Sequence, residues 1–124
     1  MTETQTLYKK QAFKKRKIAQ LQARIHRNAV SKGFWGNGKD NIPEKLALIH
    51  SEVSEALEEY RKGRMAMYWK GKKCKPEGFP VELADIIIRC LDLAEHLDIN
   101  IETAIDHKMR YNAGRSYMHG GKKC

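Results

Sequence analysis

The chain has 124 residues, with 24 Lys and Arg against 15 Asp and Glu, and a formal net charge of +9. This length suits one core, so we predict a single domain over residues 1–124. We see no signal peptide and no apolar run long enough to cross a bilayer. The three cysteines, Cys74, Cys90 and Cys124, form no CxxC pair, and we expect a cytoplasmic protein.

Much of the basic excess lies near the ends of the chain, in a front segment at 1–20 and a tail at 115–124. The run Lys9–Lys17 could contact the phosphates of a nucleic acid. A solvated helix face is the more frequent role of such a run, since no aromatic interleaving or nucleic-acid motif accompanies it. Charge alone does not separate a nucleic-acid partner from a small polyphosphate bound in an acidic pocket with a basic rim. The missing motif disfavours the nucleic acid.

Apolar spacing and turn residues predict the first half of the fold. Thr4–Val30 has an apolar stripe and is predicted as a long first helix. The glycines of Gly33–Gly38 predict a loop. Pro43–Lys62 is predicted as the second helix, since Pro43 suits a first turn and Gly63 follows its end.

The second half of the chain predicts two more helices. Arg64–Phe79 is predicted as a loop, longer than a plain connection needs. Pro80–Leu97 is the third predicted helix, and Asn100 is the expected N-cap of a fourth helix that stops at Gly114. The fold class expected is therefore all-α, a bundle of four to five helices.

Two pairs of acids lie three residues apart in the second and third predicted helices: Glu52, Glu55, Glu82 and Asp85. In a helix both members of a pair point from one face. Cations at helical spacing are scarce, because Glu55 is followed four residues later by Glu59, and only Asp85 has a cation, Arg89, at that distance. Poorly neutralised carboxylates on neighbouring helices are the oxygen ligands that Mg²⁺ prefers.

One narrow stripe of the third helix is polar: Glu82, Asp85, Arg89, Asp92 and His96. Apolar residues cover most of the remaining circumference, so we predict a helix packed on several sides. The stripe then faces either the remaining solvent, held by an Asp85–Arg89 pair, or an internal polar cleft.

Two further sets of residues have alternative roles. Lys108 and Asn112 share a helix face and Arg115 follows, so they could neutralise a triphosphate or form a solvated helix end. The loop aromatics Phe34 and Trp35 could stack on a base or cap the core.

The motifs Glu52-x-x-Glu55 and Glu82-x-x-Asp85 resemble the signature of the all-α nucleoside triphosphate pyrophosphohydrolases, which include MazG, the dimeric dUTPases and the dCTP pyrophosphatases. Four ordered segments are similar to MazG-like proteins: Lys32–Trp35, Leu48–Glu58, Gly78–Arg89 and Lys108–Arg115. The resemblance extends from about His26 to the tail and leaves the basic front of the first helix unmatched.

The resemblance implies an enzyme of nucleotide metabolism, a hydrolase acting on phosphoanhydrides. It would cleave a (d)NTP between the α- and β-phosphates, releasing a (d)NMP and pyrophosphate. The implied Mg²⁺ ligands, for which Mn²⁺ can substitute, are Glu52, Glu55, Glu82 and Asp85. The implied phosphate ligands are Lys108, Asn112 and Arg115, and the implied neighbours of the base are Trp35, Phe34 and His26. The broad apolar arc of the third helix and the small core of a single chain predict oligomerisation, so we expect a homodimer or homotetramer. In this family sites commonly form between subunits.

One position departs from the family pattern. Many members have a further Glu just before the first motif acid, where this chain has Ser51. Because a hydroxyl is a poor base near neutral pH, water activation would fall to the metal or to Glu52 or Glu55, the catalytic candidates. The alternative function is a non-catalytic, basic helical protein on the same fold that binds nucleic acid or regulates a partner.

Overall fold

The computed structural model describes residues 3–36 and 41–115, with side chains from residue 17 onward. These residues form four helices and one two-stranded sheet: α1 (Glu3–Ser31), α2 (Ile42–Arg61), β1 (Tyr68–Lys70), β2 (Lys75–Glu77), α3 (Phe79–His96) and α4 (Ile101–Ala113). The all-α class is confirmed by this mostly helical fold. The tail at 116–124 and the side chains of the basic front at 1–16 lie outside the described residues.

The helices begin and end within one residue of their predicted bounds, because the signals are local. The Asn100 side chain accepts a hydrogen bond from the Thr103 N–H at 3.1 Å, which confirms it as the N-cap of α4. Asn41 caps α2 in the same way through the Glu44 N–H. Gly114 is the C-cap residue of α4.

The segment predicted as a loop between α2 and α3 is instead a β-hairpin, so that prediction was wrong. Its strands pair antiparallel, with Tyr68 opposite Glu77 and Lys70 opposite Lys75. Strands of three residues are too short for apolar alternation to be visible in a sequence. At Gly78 the backbone φ is +111° and a Cβ would collide with the carbonyl oxygen of Ala66, so only glycine fits the junction with α3.

Helix α3 lies at the centre and packs against α2 and α1, while α4 packs against α1. The buried apolar residues are few and mostly small: Ala29, Ala56, Leu91, Leu93 and Ala94. The predicted packing of α3 on several sides is therefore confirmed for two neighbouring helices, α1 and α2. A further side remains open, because Leu83 is 44% exposed and Ile87 is 56% exposed. No helix of the described part of the chain is both long and apolar enough to span a membrane.

Candidate metal centre and adjoining cleft

Three of the four predicted acids meet between α2 and α3. One carboxylate oxygen each from Glu52, Glu82 and Asp85 lies within 4.8 Å of the other two. Glu82 and Asp85 are one turn apart on α3, and Glu52 comes from the face of α2 that packs against it. Glu52 is buried, whereas the other two are half-buried. The cluster is therefore built by the packing of two helices.

The fourth acid, Glu55, is exposed but close enough to Glu82 to affect its proton. The pKa of Glu82 is raised to about 7, first by burial, then by a hydrogen bond with Glu55, the charge of Glu55 and the charge of Asp85. The pKa of Asp85 is also raised, first by burial and then by the charge of Glu52, although Arg89 and Lys75 oppose this. Carboxylates at this spacing favour protonation or a bound cation.

Two oxygens of the cluster are shielded from water without a partner. Oε2 of Glu52 and Oε2 of Glu82 are buried and accept no hydrogen bond from the described residues. Buried acceptors of this kind are uncommon and costly. A hard divalent cation would satisfy both oxygens, and a donor set made only of carboxylate oxygens fits Mg²⁺ or Mn²⁺.

Arg89 contacts a different acid from the one expected. Its Nε donates to Glu52 Oε1 at 2.8 Å, across 37 positions of sequence. The predicted Asp85–Arg89 pair of a solvated stripe is therefore wrong as a contact, although the charge of Arg89 still lowers the pKa of Asp85. The polar stripe of α3 faces an internal cleft, since Asp85, Arg89 and Asp92 all line it.

This cleft has a volume of about 760 Å³ and lies between α1, α2 and α3. Glu52 and Asp85 line one end of it, which we call the acidic end. Trp35, Lys45 and Asp92 line the other end, which we call the aromatic end. Lys45 and Glu52 are seven residues apart on α2, so the two ends are separated by about 10 Å along the helix.

The aromatic end is held by hydrogen bonds that converge on Asp92. Trp35 Nε1 donates to Asp92 Oδ1 at 3.0 Å and to Oδ2 at 3.1 Å. His26 Nδ1 lies 2.7 Å from Asp92 Oδ1. The Lys45 ammonium is 4.4 Å from the centroid of the Trp35 ring, and the His96 ring stacks on the indole. Trp35 thus packs against α3, as the core-capping alternative expects, while Phe34 is exposed at the cleft wall.

The predicted phosphate ligands are not brought to the cleft within one chain. Lys108, Asn112 and Arg115 are exposed on or just after α4, and none of them lines the cleft. Their role stays a prediction. The cations that do line the cleft are Arg24, Lys45 and Arg89. Sequence reasoning missed Lys45 and Arg24 as cleft residues, although Lys45 lies two helical turns from Glu52 on the same face of α2.

No protein-family model, curated protein or solved structure matches this chain. The MazG-like resemblance therefore depends on the motifs described above.

Proposed function

We propose that the chain is a Mg²⁺-dependent nucleoside triphosphate pyrophosphohydrolase of the MazG-like type, which converts a (d)NTP into a (d)NMP and pyrophosphate. The main support is the meeting of Glu52, Glu82 and Asp85 within 4.8 Å, with two buried carboxylate oxygens that lack a partner among the described residues. The cleft that begins at this cluster supplies space for a nucleotide.

In this proposal Glu52, Glu82 and Asp85 hold the metal, and Glu55 lies beside them. When bound there, Mg²⁺ would supply a water of lowered pKa and offset the negative charge of the phosphates. The chain's own contribution is to fix the carboxylates on two packed helices, so that little reorganisation is needed when the ion binds. Burial first, and then the neighbouring acids, raise the pKa of Glu82, and a bound divalent ion would offset both effects.

We assign Glu55 as the general base, which accepts the proton of the attacking water. Ser51 is not a candidate, because its hydroxyl is exposed and donates to the carbonyl oxygen of Leu48 at 2.8 Å. Glu52 is buried and holds the metal in this proposal. Glu55 is exposed beside the cluster and adjoins Glu82, so its carboxylate is the one available to a water on the open side.

The two ends of the cleft suit the two ends of a nucleotide. The phosphate chain would bind at the acidic end with the metal, and the base would lie toward the aromatic end. There Trp35 and His26 are fixed by Asp92, which limits the shapes of base that fit. Phe34 and Lys45 complete that wall of the cleft.

Oligomerisation belongs to the same proposal. Large apolar side chains are exposed on α2 and α3: Val53, Leu57, Leu83 and Ile87. Exposed apolar faces on neighbouring helices are typical of protein contacts. A homodimer or homotetramer that covers them could also bring Lys108 and Arg115 of one copy to the cleft of another.

The function is tested by measuring pyrophosphate and nucleoside monophosphate released from a panel of ribo- and deoxyribonucleoside triphosphates with Mg²⁺ or Mn²⁺. We expect turnover of at least one nucleotide, lowered about a hundredfold or more by Asp85→Asn or Glu82→Gln. The control Glu58→Gln removes an acid of α2 whose partner is the exposed Arg61, and should leave the rate unchanged. Absence of turnover, or turnover that survives Asp85→Asn, would contradict the proposal.

The alternative of a nucleic-acid-binding protein has one supporting observation. The hairpin exposes four lysines beside an exposed tryptophan: Lys70, Lys72, Lys73, Lys75 and Trp69. Cations and an aromatic ring on one small hairpin suit a single-stranded nucleic acid. Tight, steeply salt-dependent binding to an oligonucleotide without nucleotide turnover would favour this alternative.

A further inference from the structure

A permanent cation reaches into the acid cluster from the cleft. The Arg89 side chain is 37% exposed, whereas the Glu52 side chain that it contacts is 8% exposed. Its Nε binds only Oε1 of Glu52, and Oε2 of the same carboxylate is buried without a hydrogen bond from the described residues. Arg89 therefore neutralises Glu52 without completing its coordination.

Arg89 and a metal ion would compete for the same carboxylate. Both are positive, and at the few ångströms that separate ligands of one carboxylate their repulsion is substantial. A guanidinium does not lose its proton in a protein, so it relieves the repulsion only by moving away. The loss of its bond to Glu52 then reduces the net affinity of the cluster for a metal ion alone.

The cleft offers Arg89 a second position. Arg89 lines the cleft, and its hydrogen bond to Glu52 is made by Nε and not by the Nη groups. The planar fork of a guanidinium matches phosphate oxygens. A nucleotide that arrives with the metal supplies a negatively charged partner for an Arg89 side chain that has left Glu52.

We propose that Arg89 is a displaceable internal cation, which binds Glu52 in the metal-free protein and passes to the phosphate chain of a metal-bound nucleotide. The first half of this inference rests on the contact of Arg89 with Glu52. The second half rests on the proposed function. The consequence is that the cluster binds a bare metal ion weakly and a metal–nucleotide complex strongly.

The first experiment titrates the full chain with Mn²⁺ alone at near-physiological salt, following free Mn²⁺ by electron paramagnetic resonance. Arg89→Gln should bind Mn²⁺ about tenfold more tightly than the wild type, because the charged hydrogen bond to Glu52 no longer competes. The matched control is Lys75→Gln. Lys75 also acts on Asp85 through its charge but is 75% exposed, so salt screens it and the affinity should change by less than about twofold.

The second experiment adds a nucleoside triphosphate analogue with an α,β-methylene bridge, which is not cleaved, in the presence of Mn²⁺. Arg89→Gln should bind this complex about tenfold more weakly than the wild type, opposite in sign to its effect on Mn²⁺ alone. Arg89→Lys keeps the charge without the fork, so both effects should keep their directions at smaller size. Arg89→Lys replaces Arg89→Gln in both binding experiments if circular dichroism shows that Arg89→Gln does not fold.

The outcomes separate the possibilities. Weaker binding of both Mn²⁺ and the analogue would mean a merely structural Arg89 and would overturn the inference. Tighter Mn²⁺ binding with unchanged analogue binding would overturn the transfer to phosphate. A wild-type chain that binds Mn²⁺ but no analogue would contradict the proposed function, while the Mn²⁺ titration still decides the first half.

Discussion

The indole ring of Trp35 lies flat against the imidazole ring of His96, with 3.7 Å between the ring centroids and 9° between the planes. Trp35 follows α1 and His96 ends α3, so this stack ties the loop after α1 to the end of the central helix. The hydrogen bonds of Trp35 to Asp92 add a second tie. Together they form the aromatic end of the cleft.

Replacement of Trp35 should therefore destabilise the fold as well as the cleft. We expect Trp35→Phe to lower the free energy of unfolding by about 1–2 kcal/mol, since Asp92 loses a donor. Trp35→Ala should cost about 3 kcal/mol or more, since the stacked ring is also lost. Urea denaturation followed by circular dichroism measures both. Trp69→Phe is the control, because Trp69 is 61% exposed, and Trp35→Ala would contradict the account if it matched that control.

Stability of the metal-free protein should depend on pH through Glu82. Its pKa of about 7 in the folded chain lies above the ordinary value of 4.5, so the folded state holds this proton more tightly. The resulting stabilisation is complete below about pH 4.5 and is lost as the pH rises through about 7. The unfolding free energy of the wild type, taken relative to that of Glu82→Gln, should therefore fall from about pH 5 to about pH 8. A difference that does not vary with pH would contradict the raised pKa.

Metal affinity should follow the opposite trend. Because the proton of Glu82 must leave before its carboxylate binds an ion, the affinity for Mn²⁺ should increase as the pH rises through about 7. Isothermal titration calorimetry in buffers of different ionisation enthalpy should detect the proton released. In Glu82→Gln the affinity should be lower and less dependent on pH, whereas Glu58→Gln should behave as the wild type does.

The outer face of α3 should mediate self-association. Ile87→Glu places a charge where a second copy would cover an apolar side chain, so sedimentation should show a smaller species than the wild type. Val30→Glu, at a similarly exposed apolar position on α1, is the control and should keep the wild-type state. A monomeric wild type would contradict the proposed oligomer.

Mixed oligomers test whether α4 serves the cleft of another copy. Glu82→Gln and Arg115→Gln should each be inactive alone if both residues belong to the site. If one copy supplies the acids and another supplies Arg115, mixing the two unfolded variants and refolding them together should restore part of the activity, because some sites are then intact. Persistent inactivity of the refolded mixture would assign both residues to the same copy or exclude Arg115.

The features that the sequence predicted well are local ones. Helix bounds followed from apolar spacing and from caps such as Asn100 and Gly114, which act within one turn. The clustering of Glu52 with Glu82 and Asp85 was predictable because each pair shares a helix face and the two helices are neighbours.

The features that were missed depend on contacts between distant residues. Arg89 has Asp85 at helical spacing, yet it binds Glu52, because the packing of α2 on α3 decides the partner. The convergence of Trp35 and His26 on Asp92 spans 57 and 66 positions, respectively, and has no local signal. The hairpin was missed because its paired strands have only three residues each.

In the proposed site, carboxylates from α2 and α3 together bind one divalent ion. Anomalous diffraction from crystals soaked in Mn²⁺ would locate this ion. We predict anomalous density within coordinating distance of Glu52, Glu82 and Asp85, and its loss in crystals of Asp85→Asn. Well-ordered crystals with no anomalous density among these three side chains, at Mn²⁺ concentrations that label other acidic sites, would contradict the account.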